Sequence, residues 1–100
     1  MLSGKQKSYL RSIGNELEPI LIVGKNGITD TVLGQAREAL EARELIKGRV
    51  LPNCVSECEE IAAELSAQLK AEVVQVIGRN FILYKHRDGD KRKAHIILPE

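Results

Sequence analysis

Apolar positions recur along this 100-residue chain in two rhythms, one of three to four residues and one of two. The helical rhythm predicts helices over residues 4–14, 30–43 and 55–69, and shorter apolar or alternating runs predict strands over residues 20–23, 44–51, 72–78 and 80–87. Ser3 and Thr29 stand where the N-caps of the first two helices belong. The predicted order is therefore α-β-α-β-α-β-β.

This order predicts the fold class. Two β-α-β crossovers imply parallel strand pairing with right-handed connections, and Gly78-Arg79-Asn80 predicts a turn that makes the last two strands an antiparallel hairpin. The expected fold is a single α/β domain over residues 1–100, a mixed four-stranded sheet with helices packed on it. The run Ile20–Val23 is wholly apolar, so we expect that strand to be buried on both faces. Near the C-terminus, "RDGDKRK" predicts a polar loop with a turn at Asp88-Gly89, and "HIILP" a short terminal strand.

Composition agrees with one folded domain. Hydrophobic residues make up 43% of the chain and charged residues 29%, which is enough apolar content for a core. Aromatic residues make up only 3%, so the core must consist mostly of aliphatic side chains. Neither a membrane-spanning apolar run nor a secretory signal is visible, and we therefore expect a cytoplasmic protein without a membrane partner. Nothing in the sequence indicates oligomerisation, so we expect a monomer.

Charge is unevenly distributed although the net charge is only +1. Residues 1–15 carry Lys5, Lys7 and Arg11 and no acid. The third predicted helix carries four acids and no base over residues 56–69, namely Glu57, Glu59, Glu60 and Glu64. This pattern predicts an electrostatically polarised protein, with ordinary solvated helix faces as the alternative.

A short glycine-rich stretch, Gly24-Lys25-Asn26-Gly27, separates the first strand from the second helix. Unpaired amides at a helix N-terminus attract anions, and glycine lets a ligand approach the backbone closely. The spacing fits neither the P-loop nor the Rossmann fingerprint, but Gly-x-x-Gly is the device with which KH domains clamp a nucleic-acid backbone. A plain turn is the alternative, and Asp30 in the first helical turn would repel phosphate.

Two cations, Lys47 and Arg49, and the three aromatic residues, Tyr9, Phe81 and Tyr84, are relevant to nucleic-acid binding. Lys47 and Arg49 share one face of the second predicted strand with Leu45, and a face with paired cations can follow a phosphate chain. The alternative is an edge strand that uses charge against aggregation. Phe81 and Tyr84 have opposite parity on the last strand and cannot form one stacking platform, so recognition of backbone and shape is expected.

The residues offer little for catalysis or metal binding. Asp30 could bind magnesium, but no second carboxylate is placed to share the ion, and His86 and His95 have no evident catalytic partner. A zinc site would need Cys54, Cys58 and both histidines, at an unusual spacing. Cys58 falls on the apolar side of its helix and is interpreted as a small buried hydrophobe. We expect no enzyme, no cofactor and no metal.

The segments "LEPILIVGKNGITDTVLGQAREALEARELIK" and "VVQVIGRNFILYK" together resemble the YhbY-like family, the stand-alone form of the CRM domain. The likeness covers nearly the whole chain. It includes the basic first helix, the Gly-x-x-Gly loop, an "ELIK" strand and the final hairpin. This sequence departs from the family pattern at Gly48, where an aliphatic residue is usual and where glycine should loosen the strand.

The resemblance implies a fold similar to the C-terminal domain of translation initiation factor three, and binding of RNA. For stand-alone bacterial members it implies association with ribosomal RNA in precursors of the large subunit. The residues that it assigns to RNA are the loop and the flanking cations: Gly24, Lys25, Asn26, Gly27, Lys5, Lys7, Arg11 and Lys47. We add to the expected RNA-binding residues Arg49, which shares a strand face with Lys47, and Thr29, the cap of the helix that follows the loop. A second hypothesis is an adaptor that meets a basic ribosomal protein through Glu57, Glu60 and Glu64.

Overall fold

The computed structural model describes residues 2–85, and the predicted loop and strand beyond Lys85 lie outside this range. Three helices and four strands follow one another in the predicted order: α1 (Gly4–Gly14), β1 (Leu21–Val23), α2 (Asp30–Arg43), β2 (Leu45–Val50), α3 (Cys58–Leu69), β3 (Glu72–Ile77) and β4 (Asn80–Tyr84). The predicted α-β-α-β-α-β-β order is confirmed.

The first two helices begin where their capping residues predicted. The Ser3 hydroxyl accepts the Gln6 amide at 3.1 Å and the Gln6 side chain accepts the Ser3 amide at 3.0 Å, which is a capping box. The predicted start of α3 at residue 55 is wrong by three residues. A turn in which the Cys54 amide donates to the Leu51 carbonyl delays the helix, and Val55 remains 85% exposed.

The sheet has the strand order β1-β2-β4-β3. β1 and β2 pair in parallel, as predicted, and β3 and β4 form the predicted antiparallel hairpin. The second crossover differs from expectation, because β3 runs parallel to β2 but does not pair with it. β4 lies between them and pairs antiparallel with both, so the strands of residues 2–85 form only one parallel pair, β1 with β2. β4, the second strand of the hairpin, therefore lies inside the sheet between β2 and β3.

Helices cover the sheet on both faces. On one face α2 and α3 enclose the larger core, to which β1, β2 and β4 contribute Leu21, Val23, Ile46, Val50, Phe81 and Leu83. On the other face α1 places Leu10 against a smaller cluster that contains Leu45, Ile82 and Tyr84. α1 packs chiefly on β2 and β3, so the described residues cover this second face only in part.

The predicted burial of the first strand on both faces is wrong. Among the strands of residues 2–85, β1 lies at the edge of the sheet, with Leu21 and Val23 buried but Ile22 46% exposed. Leu21 and Val23 point into the larger core, and Ile22 points to the face on which α1 lies. Because α1 packs on β2 and β3, it leaves this apolar side chain open to solvent.

Gly48 does not loosen β2, contrary to expectation. It pairs with Phe81 of β4, and a Cβ atom at position 48 would lie 2.2 Å from Cζ of that ring. Phe81 is fully buried in the larger core. Glycine at position 48 therefore makes room for the one phenylalanine of the chain, and the strand keeps its pairing on both sides.

Candidate nucleic-acid interface

The glycine-rich loop is a tight turn with an exposed tip. The Gly27 amide donates to the Gly24 carbonyl at 3.0 Å, and Lys25 and Asn26 at the tip are exposed. Gly27 has φ +66°, a conformation that glycine adopts without strain. Gly24 has ordinary backbone geometry, and a Cβ there would only touch Leu51 at 3.7 Å. The two glycines therefore have different roles, since the backbone conformation requires glycine at position 27 but not at position 24.

Thr29 joins this turn to α2. Its hydroxyl accepts the Val32 amide at 3.2 Å, which confirms its predicted role as N-cap. The first amides of a helix have no partner inside the helix, and the aligned peptide dipoles give this end a partial positive charge. Within residues 2–85 the Lys25 and Asn26 amides also have no acceptor. The exposed carboxylate of Asp30 lies in the same first turn and weakens the attraction for anions.

The two cations of β2 lie on the partly covered face of the sheet, as their alternation with Ile46 and Val50 predicted. Leu45, on the same face, is buried beneath α1, whereas Lys47 is half-buried and Arg49 is exposed. Neither cation forms an ion pair with any residue between 2 and 85. No side chain in the described part of the chain therefore neutralises either charge.

Strand register connects Arg49 to the glycine-rich loop. Four residues face one another across the four strands and form a line that we call the open row: Ile77, Asn80, Arg49 and Ile22. Ile22 stands two residues before Gly24, so the row ends at the loop. Neighbouring strands lie about 4.8 Å apart, which places the backbone of Arg49 within one strand spacing of the chain that enters the loop.

The cations of α1 are only partly brought together. Lys5 and Arg11 are exposed and Lys7 is half-buried, on the helix that packs on the same face of the sheet as Lys47. Lys7 and Arg11 are four residues apart and share a flank of α1. Lys5 is two residues from Lys7 and so points about 160° away from it around the helix axis. The structure therefore separates Lys5 from the other two.

Arg79 was not among the predicted contacts. It occupies the two-residue turn between β3 and β4, where Gly78 has φ +57°, and its side chain is exposed. The Val50 amide donates to the Arg79 carbonyl at 2.7 Å, which fixes the turn against the end of β2. This turn and the glycine-rich loop lie at the same end of the sheet, since β1, β2 and β3 all run towards it. The turn is visible in the sequence, but its place beside β2 depends on the central position of β4.

The aromatic residues offer no stacking platform, as predicted from their parity. Phe81 is 0% and Tyr84 4% exposed, and they belong to the cores on opposite faces of the sheet. Burial, followed by the nearby charges of Glu44 and Glu72, raises the pKa of the Tyr84 phenol. Tyr9 on α1 is 41% exposed and is the aromatic side chain within residues 2–85 that reaches solvent.

The cysteines lie at the N-terminal end of α3. Both are free thiols, both are half-buried, and they line a cavity of about 400 Å³ together with Arg79. Burial, and to a lesser extent the charge of Glu59, raises the pKa of the Cys58 thiol. Within residues 2–85 no three His, Cys, Asp or Glu side chains are grouped as metal ligands. His86 and His95, which the zinc hypothesis requires, lie outside this range.

The acidic side chains predicted for the third helix are exposed at the start and along the outside of α3: Glu57, Glu59, Glu60 and Glu64. α3 packs on the face of the sheet opposite to α1 and the β2 cations. The acidic side chains of α3 and the basic side chains of α1 and β2 therefore lie on opposite sides of the sheet, which agrees with the expected polarisation. No helix within residues 2–85 combines the length and the apolar character that a membrane span requires.

Comparisons with known proteins show which family this chain resembles. Residues 2–85 match the model of the family described as the CRS1 / YhbY (CRM) domain. The chain is 46% identical over 92 residues to the probable RNA-binding protein YqeI of Bacillus subtilis, covering 92% of this chain and 96% of that one. It is 36% identical over 98 residues to an RNA-binding protein of Haemophilus influenzae, covering 98% and 95%.

A solved structure is similar over the whole fold. It is the solution structure of the hypothetical protein SAV1595 from Staphylococcus aureus, described as a candidate RNA-binding protein. The TM-score is 0.80 at 42% sequence identity, and the match covers 99% of this chain and all of that one.

Proposed function

This chain belongs to the CRS1 / YhbY (CRM) domain family, and from that membership and its loop geometry we propose that it is a non-catalytic RNA-binding protein. The observation that carries the proposal is the exposed Gly24–Gly27 turn, placed at the N-terminus of α2 and at the end of the open row. We further propose that residues 1–100 work as one domain. A single domain with one such loop holds one short stretch of RNA.

The proposed mechanism is a backbone clamp. A phosphate of the RNA lies at the tip of the turn and accepts hydrogen bonds from the Lys25 and Asn26 amides. The absence of a side chain at Gly24 lets the sugar-phosphate chain approach, and the Lys25 ammonium group adds a positive charge. Thr29 acts by holding the first turn of α2 in place. It is a positioning residue, because its hydroxyl is already occupied by the Val32 amide.

Flanking cations extend the clamp and offset the repulsion from Asp30. Arg49 follows directly from the loop along the open row, and Lys47 lies behind it on the same strand. Lys7 and Arg11 on α1, with Lys5 further round the helix, add attraction over a longer range. About four neutralised phosphates would give a log–log salt slope near −3 for single-stranded RNA.

The biological role that the family resemblance implies is assembly of the large ribosomal subunit. We propose that the protein associates with ribosomal RNA in cytoplasmic precursors of that subunit. The acidic side of α3 then faces away from the RNA and is free to meet a basic ribosomal protein. In this arrangement RNA binding is the main function and any protein contact is secondary.

Fractionation of ribosomal particles from cells that make the protein tests this role. The decisive variant is Gly24→Asp, which adds a carboxylate where the phosphate should lie and fits the space beside Leu51. Gly27→Asp is unsuitable, because φ +66° would strain the fold and confuse the result. Gln68→Glu is the matched control, since it adds the same charge at an exposed position of α3.

Wild type and Gln68→Glu are expected in large-subunit precursor fractions, with folded Gly24→Asp at the top of the gradient. Equal sedimentation of all three proteins with the particles would contradict the clamp and leave the loop as a plain turn. Absence of wild type from every particle fraction would contradict the proposed role in assembly.

A further inference from the structure

A cavity opens at the same end of the sheet as the glycine-rich loop. Its volume is about 400 Å³, and its walls come from the end of β2, the segment that leads into α3 and the turn between β3 and β4. The apolar part of the wall consists of Val50, Leu51, Cys54, Val55 and Cys58. Sites for small organic groups usually measure about 300–1,000 Å³, so the cavity is large enough to take a flat ring system.

The cavity is reached from solvent and ends on the larger core. Val55 is 85% exposed and the side chain of Arg79 is exposed, so both lie at the mouth. Cys54 and Cys58 are half-buried and pack against the larger core, so they lie deeper in the wall. A ligand that enters past the exposed side chains therefore meets an apolar inner wall.

Two charged side chains of opposite sign line the cavity, Glu57 and Arg79. Neither forms an ion pair with a residue between 2 and 85. The Glu57 carboxylate offsets the attraction of Arg79 for phosphate, so these charges favour a neutral group over an anion. The guanidinium group of Arg79 is planar and can stack on an aromatic ring. A neutral aromatic ring therefore fits both the charges and the apolar wall.

The cavity adjoins the glycine-rich loop through Leu51. A Cβ atom at Gly24 would lie 3.7 Å from Cδ1 of Leu51, which also lines the cavity. The Leu51 amide donates to the Val23 carbonyl at 2.8 Å, and the Val50 amide holds the Arg79 turn on the other side of β2. Two strand spacings, about 10 Å, therefore separate the chain at the loop from the chain at the turn. An RNA strand clamped at the loop passes the mouth of the cavity with its neighbouring nucleotides.

From these observations we propose that the cavity receives one unpaired nucleobase of the RNA strand that the glycine-rich loop holds, with Arg79 stacked on the outer face of the ring. The apolar wall contacts the inner face and the edge of the base. Such contacts act on the π-face that every base has, so the site accepts any unpaired base. The inference rests on the proposed RNA binding and adds a base-binding site to the backbone clamp.

Stacking on Arg79 agrees with the burial of the aromatic residues in the sheet. Phe81 and Tyr84 are buried and cannot stack on a base. Proteins that bind single-stranded RNA place unpaired bases on the plane of an arginine guanidinium group as well as on aromatic rings. One exposed arginine above an apolar cavity therefore supplies a single stacking position without an aromatic side chain.

Binding of short oligo(U), and of an abasic oligomer of the same length, to the full chain tests the inference. The two oligomers have the same backbone charge and differ in the bases. Wild type should bind oligo(U) about five- to tenfold more tightly, the ratio expected for burial of one base. Arg79→Lys keeps the charge and loses the planar group, so it should weaken oligo(U) about two- to fivefold and leave the abasic oligomer unchanged.

Cys54 reports directly on the cavity. Cys58→Ala leaves Cys54 as the one thiol of the chain, and the rate of its alkylation by iodoacetamide can be followed by mass spectrometry. With oligo(U) at about ten times its dissociation constant most of the protein is bound, so alkylation should slow at least about fivefold. The abasic oligomer, at the same degree of saturation, should slow it less than about twofold.

The matched control carries its thiol elsewhere on α3. Cys54→Ala and Cys58→Ala combined with Gln68→Cys places one thiol at an exposed position about 15 Å along the helix from the cavity. Neither oligomer should change its rate of alkylation. Circular dichroism confirms that each variant is folded before its rates are compared.

The outcomes separate the cavity from the clamp. Equal affinity of wild type for both oligomers, or equal protection of Cys54 by both, would overturn the base-binding site while leaving the clamp intact. Oligo(U) that binds without slowing the alkylation of Cys54 would also overturn it, as would a Cys54 thiol that iodoacetamide does not reach in the free protein. If wild type bound neither oligomer nor ribosomal RNA fragments, RNA binding itself would be contradicted.

Discussion

Gly48 and Phe81 face each other across β2 and β4, and the ring of Phe81 occupies the space that any side chain at position 48 would need. The distance from an added Cβ to Cζ would be 2.2 Å, far below van der Waals contact. This pair holds the central strand pair and the larger core together. Glycine at position 48 is therefore matched to the burial of Phe81.

Gly48→Ala is expected to destabilise the protein. The added methyl group has to displace the buried ring of Phe81, and overpacking of this kind costs about 1–3 kcal/mol. Urea unfolding followed by circular dichroism measures the change. Phe81→Leu in the Gly48→Ala background should recover part of the loss, because the smaller side chain leaves room for the methyl group.

Gly34→Ala is the matched control for that experiment. Position 34 is helical and a Cβ there meets nothing within 4 Å, so this substitution should stabilise the protein by about 0.5–1 kcal/mol. A Gly48→Ala protein as stable as wild type would mean that the ring of Phe81 does not lie where the structure places it.

The two glycines of the loop should respond differently to alanine. Gly27→Ala forces a Cβ into the left-handed region and should cost about 1–2 kcal/mol, and Gly27→Asn should cost less. Gly24→Ala should change the free energy of unfolding by less than about 0.5 kcal/mol, because its Cβ has room. Thermal and urea unfolding of the three variants would check this. Equal costs at both positions would contradict the turn geometry.

Stability should fall in alkaline solution. The pKa values of Cys58 and Tyr84 are both raised by burial above the ordinary 9.0 and 10.0, so the unfolded chain loses these protons first as pH rises. The free energy of unfolding is therefore unaffected by them below about pH 8 and decreases from pH 9 upwards.

Unfolding measured from pH 7 to pH 11 tests this pH dependence. Cys58→Ala should remove the part of the decrease that begins near pH 9, and Tyr84→Phe the part that begins near pH 10. Cys54→Ala is the control, and its pH profile should run parallel to that of wild type. Stability that rises with pH across this range would contradict the direction of both shifts.

The acidic side of α3 should contribute nothing to RNA affinity. Glu60→Gln with Glu64→Gln removes two exposed carboxylates on the side of the sheet opposite to the open row. RNA affinity at moderate salt is expected to change less than about threefold, since exposed charges on the opposite side of the sheet are screened by salt. Loss of association with ribosomal particles without loss of RNA affinity would instead favour the adaptor hypothesis.

Local features of the fold could be predicted from the sequence, and features that depend on strand order could not. Capping by Ser3 and Thr29 is a contact within four residues, so both helix starts follow from the residues alone. The exposure of Ile22 and the place of Arg79 depend on β4 entering the sheet between β2 and β3. Hydropathy alone does not reveal that insertion.

The same division applies to the candidate site. Gly-x-x-Gly before a helix and the shared face of Lys47 and Arg49 are patterns in adjacent residues. The open row joins residues from all four strands, which only the register brings together. Position 48 shows where residue preferences for strands fail as a guide. Glycine was expected to weaken the pairing of β2, but it makes room for the buried ring of Phe81.

The most direct test of the central claim is the salt dependence of RNA affinity for wild type, Gly24→Asp and Gln68→Glu. The clamp predicts a log–log slope near −3 for wild type and Gln68→Glu on single-stranded ribosomal RNA fragments. It predicts a shallower slope and at least about tenfold weaker binding for Gly24→Asp, because the added carboxylate repels the RNA phosphate. A wild-type slope near zero, or equal affinity of all three proteins, would contradict it.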